Sequence, residues 1–135
     1  MTVSHLRSVP VAHYSITVDE MPRWIAEEPE DHVWGLRLRL WRNGAPVRVF
    51  LITVSWLSMV SDEAWRRVGD EKAWRAVADL AADRIQQVAR GHGLSGYQQQ
   101  LETVTFSGHE VGEHADATDR LPVVAEGSLV REFDT

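Results

Sequence analysis

Cysteine is absent from the 135 residues, which excludes disulfides, thiol nucleophiles, thiolate metal centres and iron–sulfur clusters. Proline occurs five times and glycine nine, too few for a collagen-like array or a proline-rich disordered chain. No stretch reaches the roughly 18 uncharged apolar residues of a membrane span. The best run, Val47 to Val60, already contains Arg48. The N-terminus lacks the basic-then-apolar layout of a signal peptide, so a cytoplasmic protein is expected. The phosphate-loop pattern G-x-x-x-x-G-K-[ST] is missing as well. Lysine is nearly absent: thirteen of the fourteen basic residues are arginine.

The rest of the composition is that of an ordinary globular protein, 44% hydrophobic and 25% charged, and the length suits one domain over 1–135. The net charge of −6 is unevenly spread. Residues 36–61 hold Arg37, Arg39, Arg42 and Arg48 with no acid, whereas 19–31 and the C-terminal third are acidic. Such a balance lacks the broad positive field that drives phosphate-backbone binding, so a nucleic-acid partner is not expected.

Ala12–Val18 alternates apolar and polar residues, the period-two mark of a half-buried strand. Residues 19–31, with Pro22, Pro29 and six acids, read as an exposed loop. Asn43-Gly44 stands between two strand-like runs and favours the type I′ turn of a two-residue hairpin. Counting outward from that turn sets Leu40 against Val47, Leu38 against Val49, Leu36 against Leu51 and Trp34 against Thr53. In the same register Pro46 lies opposite Trp41, where its missing N–H is not needed. Val49–Trp56 is apolar on both sides, so Phe50, Ile52, Val54 and Trp56 need a cover.

Residues 71–90 supply it: Trp74, Val77, Ala78, Ala81, Ile85, Val88 and Ala89 fall at helical spacing, with Ser61, Asp62 or Asp70 as caps and Gly91 as the C-terminal stop. Gly91-His92-Gly93-Leu94-Ser95-Gly96 spells G-x-G-x-x-G. It follows a helix rather than preceding one, so it would offer phosphate the negative helix end. Tyr97–Ser107 is strand-like, 107–119 reads as a polar loop, and Leu121–Ala125 with Ser128–Phe133 suits a hairpin around Glu126-Gly127. The expected fold is α+β. It has a largely antiparallel sheet of about five or six strands, in the order β-β-β-α-β-β, with one long helix packed on one face.

Two groups of residues invite a functional reading. In the turn-derived register Arg37, Arg39, Trp41 and Arg48 share the face opposite the leucines, with Arg39 across from Arg48. Like charges in that position call for an acid, either from the chain itself or from a partner. Arginine and tryptophan are common interface anchors, and Trp24, in the acidic segment, extends the set. The second group is His109-Glu110-Val111-Gly112-Glu113-His114. It departs from the H-E-x-x-H zinc helix because Glu113 stands where histidine is required. On a helix, His109 and His114 would be about 140° apart. As a loop, the segment 109–119 could wrap His109, Glu110, Glu113 and His114 around an ion.

No catalytic motif survives, so a non-catalytic protein-binding module is the first reading: an adaptor, inhibitor, chaperone-like or toxin-neutralising protein. It would dock an acidic protein partner through the Arg/Trp hairpin surface, with no cofactor and no membrane or nucleic-acid contact, and with homodimer formation through the sheet allowed. The alternative is a small ligand-binding protein or metal-dependent hydrolase using the loop 109–119.

Overall fold

In the computed structural model, residues 11–24, 33–55, 70–92 and 102–135 are described. The alternation beginning at Tyr14 builds β1 (His13–Trp24), which runs farther than the sequence pattern suggests and takes in Asp19–Trp24. The remainder of the expected loop, 25–31, lies outside the described residues, as do Trp56, Ser61 and Asp62. Pro22 fits a strand here because β1 pairs with its outer neighbour only from His13 to Thr17, and its own ladder to β2 is irregular between Glu20 and Arg23. A missing N–H costs little at such a place.

β2 (Val33–Arg42) and β3 (Ala45–Ser55) form the expected hairpin. Asn43 and Gly44 have φ of 50° and 82°, both positive as a type I′ turn requires. Trp41 faces Pro46 as expected, but the register changes by one residue immediately beyond: Leu40 faces Arg48, Arg39 faces Val49, Leu38 faces Phe50 and Leu36 faces Ile52. Val47 is the extra residue of a bulge. The physical reason is burial. A strict two-residue hairpin would put Phe50, Ile52 and Val54 on the face away from the leucines, whereas the bulge rotates them onto it. All six of Leu36, Leu38, Leu40, Phe50, Ile52 and Val54 are then buried together, and Val47 with them.

α1 (Asp70–His92) follows the helical spacing. Its alanines, Ala73, Ala76, Ala78, Ala81, Ala82 and Ala89, are buried beside Trp74, Val77 and Ile85 in one core with the leucine face of the sheet. The helix returns the chain so that β4 (Glu102–Phe106) runs parallel to β3, with Ile52 beside Val104; a parallel neighbour needs a long crossover of this kind. The sheet is therefore mixed, in the order β4-β3-β2-β1-β5, and the expectation of a largely antiparallel sheet holds for the other three ladders.

Two expectations for the C-terminal third are corrected. The segment read as a polar loop contains a helix, α2 (Gly108–Ala117), started by a capping box: the Glu110 N–H donates to Ser107 Oγ, and the Ser107 N–H donates back to the Glu110 carboxylate. Gly108, Val111, Gly112 and Ala115 are buried at i, i+3, i+4 and i+7. The two glycines that argue against a helix thus lie on its buried stripe, where small residues allow close packing on the alanine-rich α1. Among the described residues the element order is β-β-β-α-β-α-β.

Leu121–Ala125 forms no strand, and Ser128–Phe133 makes no hairpin with it. Instead β5 (Leu129–Asp134) pairs antiparallel with β1 at the other edge of the sheet. The turn ahead of it directs its bonds to β1: the Gly127 N–H donates to Val18 O and the Val18 N–H to Ser128 O. The Ser128 hydroxyl meanwhile closes a local loop, donating to Val123 O and accepting from the Ala125 N–H. Arg75 of α1 donates to the carbonyls of Leu121 and Pro122, at 2.6 and 2.9 Å, holding this crossing segment against the helix. No helix among the described residues is long and apolar enough to cross a membrane.

Candidate functional site

The sheet presents its second face away from α1. Alternation places Arg37, Arg39 and Trp41 of β2 there, flanked by Ser15 and Thr17 of β1 and by Val49, Leu51 and Thr53 of β3. Among the described residues no helix packs on this side. Most of these side chains are half-buried, Thr53 is buried, and Thr103 and Thr105 of β4 are exposed. The hydroxyls of Thr53 and Thr105 share a hydrogen bond of 2.9 Å.

Arg37 and Arg39 answer to acids of the same chain. Asp19 is the extra residue of a bulge in β1, between Val18 opposite Leu38 and Glu20 opposite Arg37. Two consecutive acids thereby serve two alternate arginines of β2. Arg39 lies 3.2 Å from Asp19 and Arg37 lies 3.7 Å from Glu20. The Arg39 guanidinium sits 5.7 Å over the Trp41 ring, and the Trp41 indole N–H donates to Thr17 Oγ1 at 2.9 Å, so the tryptophan is held from both its face and its edge.

Arg48 does not join them. The bulge at Val47 pairs it with Leu40, on the helix-covered face, where it bonds Glu102 at 2.7 Å. The expected crowding of Arg39 against Arg48 is absent, because the two belong to opposite faces. The backbone of Trp24 faces that of Trp34, and the side chains of both lie outside the described residues.

The second candidate group disperses. As α2 is a helix, His109 and Glu113 form an exposed i,i+4 pair at 2.9 Å, Glu110 is committed to the cap of its own helix, and His114 points toward α1. These four do not converge on a common point. The signal for the helix was in the sequence: Ser107-x-x-Glu110 is a capping box.

His114 instead meets residues that local pattern does not single out. Its Nε2 lies 2.7 Å from Asp79 Oδ2. Asp79 and Asp83, one turn apart on α1, are bridged by Arg131 of β5, whose Nη2 donates to Asp79 at 2.7 Å and whose Nη1 donates to Asp83 at 2.5 Å and to Gln86 at 3.2 Å. One ligand atom from each of Asp79, Asp83 and His114 falls within 4.8 Å of the others, the spacing of a metal site. The guanidinium already fills the cation's place between the two carboxylates, so the cluster works as an ion-pair staple joining α1, α2 and β5.

At the far end of the sheet His13 Nδ1 lies 2.8 Å from Asp134 and its Nε2 3.6 Å from Glu132. The hydrogen bond to Asp134 raises the His13 pKa above 6.5; desolvation opposes it, and the charges of Asp134 and Glu132 add to the rise. No protein-family model, curated protein or solved structure matches the chain.

Proposed function

We propose that this chain is a non-catalytic protein-binding module that docks an acidic partner on the face of its sheet that none of the described helices covers, with Arg37, Arg39 and Trp41 as the contact residues. The observation that carries this reading is a contrast among the arginines. Arg48 and Arg131 are tied to carboxylates at 2.7 Å or less, the length of a charge-assisted hydrogen bond. Arg37 and Arg39 stand at 3.7 and 3.2 Å from theirs, with side chains 39% and 29% exposed. Their guanidinium donors are held in position by Glu20 and Asp19 without being fully used, so a carboxylate from outside can add to them or exchange with the internal acids. Trp41, fixed before any partner arrives, offers an aromatic anchor with little rotamer entropy left to lose. Arg48 leaves the proposed contact set because its face is covered.

A photo-cross-linking residue placed at Thr103 or Thr105 tests the reading in the native host, with the same residue at Lys72 on α1 as the control. One partner should be captured from the sheet positions only. Arg39→Glu should abolish the adduct, and Asp19→Asn, which frees Arg39, should strengthen it. Adducts that form equally from position 72, or that ignore both substitutions, would overturn the proposal.

A further inference from the structure

We propose that His13, Glu132 and Asp134 form a proton-operated latch that fastens the end of β5 to β1. Both ring nitrogens of His13 face a carboxylate, Nδ1 toward Asp134 and Nε2 toward Glu132. A neutral imidazole has one N–H and one lone pair, so it can donate to only one of the two and must turn its lone pair toward the other. The imidazolium donates to both. The place where this matters is defined by backbone bonds. His13 exchanges contacts with the hairpin tip, its N–H donating to Asn43 Oδ1 at 2.9 Å and its carbonyl accepting from the Asn43 N–H at 2.7 Å. One residue away, the Thr135 N–H donates to Ala12 O at 3.0 Å.

The charged surroundings favour the same state. From α1, Arg90 donates to the Asp134 carbonyl at 3.3 Å rather than to its carboxylate, leaving that carboxylate to His13. From β2, Arg42 is in register with Tyr14 and so shares the opposite face of the sheet. Glu132 and Asp134 are the acids that face His13 from β5. The raised His13 pKa has the matching sign. The fastening is complete below pH 6.5 and is lost as pH rises through the higher folded value of His13.

Amide exchange measured by NMR tests the latch in the intact protein. After division by the intrinsic chemical rates, protection of the Thr135 amide should be about 1.5- to 5-fold greater at pH 5.5 than at pH 8.5, the range expected of exposed ion pairs. Protection of the Gly127 amide, bonded to β1 at the far end of the same strand contact, should change little. His13→Gln should flatten the Thr135 profile. In parallel, the titration midpoint of the His13 ring should fall when Glu132→Gln and Asp134→Asn are combined. A Thr135 profile identical in wild type and His13→Gln would overturn the proposal, as would a ring midpoint unmoved by the loss of both acids.

Discussion

Replacing Arg131 by methionine tests whether the cluster at α1, α2 and β5 is a protein-only staple. Methionine keeps most of the unbranched stem and removes the charge. The side chains of Arg131 and Asp79 are 22% and 16% exposed, and that of Asp83 is 50% exposed. Fully exposed pairs contribute about 0.2–1 kcal/mol, and stripping one partner from a buried pair costs about 3–5 kcal/mol. Asp79 lies near the buried end of that range and Asp83 near the exposed end, so a total loss of about 2–3 kcal/mol follows. For a domain of this length that corresponds to a fall of roughly 6–9 °C in melting temperature.

Thermal unfolding followed by circular dichroism reads the change, with Arg37→Met as a control expected to lose less than about 1 kcal/mol because its pair is long and exposed. A double-mutant cycle with Asp83→Asn should return a coupling near 1 kcal/mol, since these two groups touch. If Arg131→Met destabilised no more than Arg37→Met, the staple would be refuted. A rise in the wild-type melting temperature on adding Mn²⁺ or Zn²⁺ would refute it differently, by showing that the carboxylates prefer a metal to the guanidinium they hold.

Two further substitutions probe the local rules behind the fold. Ser107→Ala removes the acceptor of the α2 capping box and should cost about 1 kcal/mol, seen as a drop in urea midpoint with an unchanged slope; no change would mean that α2 is held by its packing on α1 alone. Gly44→Ala puts a side chain on a residue at φ 82° with open space around the new methyl, so the loss is one of backbone strain, about 1–2 kcal/mol. A neutral result would show that the turn can change type without disturbing the hairpin.

Local chemistry specified several parts of this protein without help from the rest of the chain. Asn43-Gly44 dictates a tight turn because few other residue pairs tolerate two successive positive φ values. The spacing from Trp74 to Ala89 dictates a helix with a wide apolar stripe, and the alternation around Tyr14 dictates a strand. Ser107-x-x-Glu110 is the local start signal of α2, and the low helix propensity of Gly108 and Gly112 is outweighed by their burial. The acidic neighbours of Arg37 and Arg39 were also present, as Asp19-Glu20, but a bulge is needed to bring two consecutive side chains to one face.

Tertiary packing decided what local pattern leaves open. A hairpin turn sets register only until burial finds a better one, and a single extra residue at Val47 moved Phe50, Ile52 and Val54 to the helix side and took Arg48 away from Arg39. The direction of β4 and the choice of β1 as the partner of β5 depend on where α1 and α2 bring the chain, which no short window encodes. The same holds for the meeting of Asp79, Asp83, His114 and Arg131: residues from three elements approach only after those elements pack. Periodicity and turn chemistry act over a few residues, whereas register and charge pairing minimise the free energy of the whole core.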